Sequence, residues 1–176
     1  MIKWIAQLIV LSIRLPEIPI RMVKDKDFRV IIPKQQYQVL NFNTDGLPGI
    51  AVVNKSLSEF KPKEVFVWHC SVMVQCEKLI ENGMPSREEV EILDKFGDFL
   101  DDKIKGADKK KPNGLFLARI TGNKTRELIW RIFNPVITND FLTDLIERED
   151  HIRNFDYRID EDEDWKLTEW HLKKRK

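Results

Sequence analysis

The chain has 176 residues, 42% hydrophobic and 34% charged, the composition of a globular chain with a charge-rich surface. That excludes a disordered chain, a collagen-like chain and a polytopic membrane protein. Lys and Arg number 30 against 29 Asp and Glu, a formal net charge of +1, so any pull toward nucleic acid or an anionic membrane must come from a local patch.

Residues 1–15 read MIKWIAQLIVLSIRL, with an apolar stretch from Trp4 to Ile13 broken by Gln7 and Ser12. A spanning helix needs about 20 apolar residues, so this stretch is too short. It has the length of a signal-peptide core, but Arg14, Pro16 and Glu17 follow where a small-x-small cleavage site belongs. We expect a short element packed on the domain, with an uncleaved anchor or export signal as the alternative. Pro16 and Pro19 make residues 14–20 an extended linker. The expected organisation is an apolar segment and linker over 1–26, one α+β domain over 27–172 and a basic tail over 173–176.

Within the domain, Phe28 to Ile32 is a short strand candidate stopped by Pro33. Tyr37 to Asn43 and Gly49 to Asn54 are strand-like, and Asp45-Gly46-Leu47-Pro48 places turn residues between them for a hairpin. Lys55 to Glu64 is a polar connection. Val65 to Val74 is the strongest strand pattern, with Phe66, Trp68, Cys70, Val72 and Val74 on one face and His69, Ser71 and Met73 on the other. Cys70 and Cys76 lie in or near one apolar run, Val65 to Cys76, about 20 Å apart at ~3.3 Å per residue, too far for a disulfide unless the strand ends before Cys76 and the chain folds back. Buried free thiols fit a reducing compartment, so a cytoplasmic location is expected.

Ser86 followed by Glu89 is a capping box. Val90, Leu93, Phe96, Gly97, Leu100 and Ile104 then form a stripe at helical spacing, ended by Gly106. Leu115 to Thr121 and Lys124 to Phe133 are strands around a tight turn at Gly122-Asn123. Thr138 or Asn139 caps a second helix, and Phe155, Tyr157 and Ile159 alternate in a last strand. From Val65 onward the order is strand, helix, strand, strand, helix, strand, which is the ferredoxin-like pattern. The Tyr37 to Asn54 hairpin is expected to extend the antiparallel sheet or cover its other face.

Four stretches together resemble the bacterial domain-of-unknown-function family 695. They are Asp45-Gly46-Leu47-Pro48 with the strand after it, Asn82-Gly83-Met84-Pro85 before the Glu89 helix, the Arg119 to Trp130 hairpin, and Tyr157 followed by Asp164-Trp165. The resemblance covers roughly Tyr37 to Leu172. It implies a small α+β domain with no accepted catalytic residues, found in some relatives beside a domain similar to the ribonuclease E inhibitor. This chain departs from the pattern in its apolar start, its Lys-rich loop and Trp130.

Chemical motifs are few. Asp160-Glu161-Asp162-Glu163-Asp164 alternates like the start of a calcium loop, but Trp165 and His171 stand where Gly and a bidentate Glu are needed. A solvated acidic turn is expected, with no metal and no cofactor. Gly122-Asn123-Lys124-Thr125 lacks the glycines of a phosphate loop. His69 and Cys70 are strand neighbours on opposite faces, so they share neither a metal nor a catalytic pair.

One surface stands out. If Trp68, Ala118, Trp130 and Tyr157 point toward the helices, then His69, Arg119, Arg131 and Arg158 share the opposite, open sheet face, with Glu127 and Asp156 beside them. Three guanidinium forks near one imidazole suit a phosphate or carboxylate. These four residues are the anion-binding candidate, and no catalytic residue is assigned. The function expected first is a non-enzymatic binding or regulatory module that meets a protein or RNA on its sheet face. The alternatives are an enzyme with a dispersed site such as His69, Arg119, Arg131 and Glu127, and an envelope-associated protein held by residues 1–15.

Overall fold

The computed structural model describes residue 28 and residues 30–172. The expected N-terminal element, the linker and the basic tail lie outside the described residues. The elements are β1 (Tyr37–Thr44), β2 (Leu47–Asn54), β3 (Trp68–Gln75), α1 (Arg87–Lys105), β4 (Gly114–Gly122), β5 (Thr125–Ile132), α2 (Pro135–Glu147), β6 (Phe155–Glu161) and α3 (Lys166–Leu172).

Local chemistry accounts for most boundaries. In the β1–β2 turn, Asp45 and Gly46 both have positive φ, 53° and 82°, the twist that matches two paired strands. The β4–β5 turn uses Asn123 and Lys124, at φ 46° and 66°, one residue later than the expected Gly122-Asn123. Ser86 caps α1 by accepting from the Glu89 N–H at 3.2 Å. Leu93, Phe96, Leu100 and Ile104 form its buried stripe. Helix α2 begins earlier than Thr138 or Asn139. Asn134 accepts from the Val136 N–H at 3.0 Å and Pro135 occupies the first helical position, where its missing N–H costs nothing. Thr138 is buried and takes a hydrogen bond from the Asn113 amide. The expected Phe28 to Ile32 strand does not appear among the described residues. Phe28 instead packs against Phe66 and Phe133.

Among the described residues the architecture is α+β with one six-stranded sheet in the order β1-β2-β4-β5-β3-β6, every neighbouring pair antiparallel. The first hairpin extends the sheet beyond β4. Helices α1 and α2 cover one face over Trp68, Cys70, Val72, Leu128, Trp130 and Ile132. The other face is covered as well. The 3-10 turns Lys55–Glu59 and Lys63–Val65, together with α3, lay Leu57, Phe60, Phe66 and Trp165 over Ala51, Val53, Leu117 and Ile129. The sheet is therefore the middle of three layers. Both cysteines are free thiols in the α1–α2 core, and burial raises the pKa of each.

Strand β4 breaks its own alternation. The β4–β5 register shifts between Phe116 and Ala118, and a bulge there puts two adjacent residues on one face. Leu117 and Ala118 both join the α3-side core, and Phe116 packs on the α1 side. Trp68, Trp130 and Tyr157 face the helices as expected, whereas Ala118 does not, and Phe66 joins the α3-side core because the strand begins only at Trp68, after the 3-10 turn Lys63–Val65. Every residue of β4 beyond the bulge is on the face opposite to the one simple alternation predicts.

Candidate binding cleft

The four candidate anion ligands do not share one open face. Arg119, past the bulge, projects toward α1 and donates to Asp94 Oδ1 at 2.8 Å. Arg131 and His69 sit opposite each other on neighbouring strands, on the α3 side, where both are buried. The Arg131 guanidinium is fully engaged. It donates to the Phe66 carbonyl at 3.0 and 3.2 Å, to Asp162 Oδ2 at 2.8 Å and to the Asp162 carbonyl at 2.6 Å, and it stacks over Trp165. Burial lowers its pKa to about 10. Only Arg158 keeps an exposed guanidinium, beside Asp160 at 3.5 Å. The expected cluster is thus split by the bulge and closed over by α3. Burial, and then the positive charge of Arg131, hold the His69 imidazole down at about 4. Glu127 stays on this face and accepts from the Ser71 hydroxyl at 2.5 Å.

The acidic run is not a solvated turn throughout. Asp162 is buried, pairs with Arg131 and caps α3 by accepting from the Lys166 and Leu167 N–H groups at 2.8 and 3.0 Å. Among the described residues no group of three or more His, Cys, Asp or Glu is placed to hold a metal ion.

The other side of the sheet carries a different surface. Two helices cover four strands, so among the described residues the α1-side face of the β1–β2 hairpin is bare. Tyr37, Val39 and Ile50 are exposed there at 49%, 62% and 38%. Between this shelf and α1 lies a cleft of about 300 Å³. Its apolar floor is Val52, Phe116, Leu93 and Leu128, and its polar rim is Asp94, Asp98, Asp101, Arg119 and the Tyr37 ring edge. The three aspartates recur at helical spacing along the flank of the buried stripe.

The rim is ordered by hydrogen bonds. Asp94 receives Arg119 and, at 2.6 Å, the buried Arg126, whose Nε–H also reaches Thr121. Asp101 accepts from the Trp130 indole N–H at 2.8 Å and from Lys105 at 2.5 Å. Asp98 is exposed. Burial first, and then the charge of Asp101, raise the Tyr37 pKa, so its hydroxyl is a neutral donor at pH 7. The arrangement offers apolar contact below and alternating carboxylate and guanidinium groups above.

Gly97 lines this cleft in the middle of the 19-residue helix α1. A Cβ there would meet only Leu128 side-chain carbons, at 3.5 and 3.8 Å, which is ordinary contact. Packing does not demand glycine, yet glycine in a helix interior costs about 1 kcal/mol relative to alanine. What its missing side chain does is keep the cleft open. Of the cleft residues, sequence reasoning places only Leu93 and Gly97 on the helix stripe and assigns Arg119 to another face. The signal that was available is the Asp94, Asp98, Asp101 spacing around a mid-helix glycine.

The chain belongs to a family of unknown function (DUF695), whose model matches residues 35–170. Comparison with curated proteins and with solved structures finds no match.

Proposed function

We propose that this domain is a non-enzymatic binding module whose working surface is the cleft between α1 and the bare face of the β1–β2 hairpin. The observation that carries the reading is Gly97, a destabilising residue whose position serves the cleft and not the core. The partner is a protein segment that lays an apolar side chain on Val52, Phe116 and Leu128 and presents a Lys or Arg to Asp98. RNA has less support on this side, because three carboxylates on α1 repel phosphates. An anion site made of His69, Arg119, Arg131 and Arg158 has little support, since the first and third are buried and the second lies across the sheet. The same placement weakens the enzyme alternative built on His69, Arg119, Arg131 and Glu127. The envelope alternative rests on residues 1–15, outside the described residues, and no described helix is long and apolar enough to cross a membrane. Free Cys70 and Cys76 support a reducing compartment. We also infer that β3 through β6 form a ferredoxin-like unit, a reading supported by the β4-β5-β3-β6 order and its two crossover helices.

The test is selection of displayed random peptides on the full chain, followed by calorimetry with the best peptide. Enrichment of an apolar residue next to Lys or Arg is expected. Gly97→Leu should fill the cleft and cut affinity at least tenfold, and Asp98→Lys should weaken it severalfold. Undiminished binding to a folded Gly97→Leu variant rejects the cleft as the working surface.

A further inference from the structure

We propose that β1 is a self-pairing edge through which two copies of this chain join antiparallel, continuing the six-stranded sheet of one copy into that of the other. Strand β1 ends the sheet, and among the described residues nothing pairs with its outer side. A terminal strand carries a row of unpaired N–H and C=O groups, which proteins guard with charge, proline, bulges or brevity. The opposite edge, β6, reads FDYRIDE and is guarded by Asp156, Arg158, Asp160 and Glu161. Strand β1 reads YQVLNFNT: eight residues with no charge, no proline and, in its pairing with β2, no bulge. Its alternation is held firmly. The Phe42 ring lies over Gly49, where an added Cβ would fall 2.2 Å from it, so the strand is seated on β2 by close contact.

The strand is complementary to itself. A two-fold axis normal to the sheet keeps the helix faces of both copies on one side, so facing residues must belong to the same face. Residues Tyr37, Val39, Asn41 and Asn43 share the cleft-side face with Val52, while Gln38, Leu40 and Phe42 share the α3-side face with Ala51 and Val53. Two centred registers satisfy that condition. With Leu40 on the axis, the Gln38 amide faces the Phe42 ring. With Asn41 on the axis, Leu40 faces Phe42 twice, Val39 faces Asn43, Gln38 faces Thr44, and the Asn41 amide faces its own copy. The second register sets Leu40 against Phe42 twice and the Asn41 amide against its own copy, and leaves Val39 against Asn43 as its one apolar–amide mismatch, whereas the first sets Gln38 against Phe42 and Val39 against Asn41, so the second is the one we assign. It sets the two bare hairpin faces side by side, with Val39 and Tyr37 of both copies forming one floor between two α1 walls. Edge pairing of eight-residue strands buries less than the ~1,600 Å² of a standard interface, so the dimer is concentration-dependent.

The experiment is sedimentation of the full-length chain over a range of concentrations. A monomer–dimer equilibrium is expected. Asn41→Lys, an exposed substitution that places two ammonium groups against each other on the axis, should give monomer at every concentration with unchanged circular dichroism. Under mild oxidation Asn41→Cys should form a covalent dimer and Asn43→Cys should not, because a thiol at position 43 would face Val39 of the other copy and not its own counterpart. Cys70 and Cys76 are buried and do not compete. A wild-type chain that stays monomeric overturns the proposal. So does an Asn41→Lys variant that dimerises as well as wild type, or cross-linking through position 43 in place of 41.

Discussion

Arg131 Nη1 and Asp162 Oδ2 meet at 2.8 Å in a site where the arginine side chain has no exposure and the aspartate side chain 7%. This pair joins the central strand β5 to the start of α3, and the Phe66 carbonyl and Trp165 ring complete the enclosure. It is why the α3 side of the sheet is a core and not a free surface. Removing either partner leaves an uncompensated buried charge, which costs about 3–5 kcal/mol.

Arg131→Met and Asp162→Ala should therefore each lower stability by about 3–5 kcal/mol. Reading the acidic run as solvent-exposed predicts a loss under about 0.5 kcal/mol for Asp162→Ala. Urea melts of the two variants separate the readings directly. Asp162→Asn, which keeps part of the α3 cap but not the charge, should fall between wild type and Asp162→Ala.

The α1 stripe gives a second expectation. Phe96 and Leu100 are 5% and 0% exposed in the helix-side core, so Phe96→Ala and Leu100→Ala should each cost about 2–5 kcal/mol. Glu89 lies at the same helix start and is also buried. Its carboxylate accepts from Arg153 Nε and Nη2, both at 2.8 Å, and from the Glu77 N–H at 3.1 Å. Glu89→Gln should accordingly cost as much as a core truncation, in chemical denaturation at neutral pH.

These cases show where the sequence was legible. Helix α1 announced itself because its cap, stripe and terminating glycine all agree locally. The hairpins were readable from turn residues that tolerate positive φ. Three features were not readable, each for a physical reason. The β4 bulge at Leu117 and Ala118 is an apolar pair with no turn residue to mark it, yet it turns Arg119 to the other face. Asp162 looks like its acidic neighbours until Arg131, far away in sequence, claims it. Asn134-Pro135 is obscured as a helix start because Thr138 and Asn139 also have capping side chains. The cleft was hidden for a related reason: it depends on the β1–β2 hairpin widening the sheet beyond the strands that the helices cover, a relationship no local pattern carries.

Stability should fall with acid in two stages. The His69 pKa is depressed from 6.5 to about 4, first by burial and then by Arg131. A group depressed in the folded state takes up protons more readily when unfolded, so its contribution is complete above about pH 6.5 and is lost as pH falls to 4. The difference corresponds to about 3 kcal/mol. Burial shifts His171 in the same direction. Glu89, held at about 2 chiefly by its bond to Arg153, contributes above pH 4.5 and loses that contribution between 4.5 and 2. Denaturation midpoints measured from pH 7 to 4.5 should drop for wild type. A His69→Gln/His171→Gln variant should show a much flatter profile over that window.

Gly97→Ala tests the trade between helix stability and cleft. It should stabilise the protein by about 0.5–1 kcal/mol, because the added methyl meets only ordinary contacts with Leu128. A loss of stability in thermal melts would mean that glycine is required by packing, which would remove the main support for the cleft.

The most direct test is a heteronuclear NMR titration of the labelled full-length chain with the peptide selected on it. Shift changes should concentrate on the amides of Val52, Gly97, Asp98 and Arg119, with His69, Arg131 and Arg158 unmoved, and Gly97→Leu should abolish them. Changes centred on His69, Ser71 and Arg158, with the α1 cleft silent, would contradict the account.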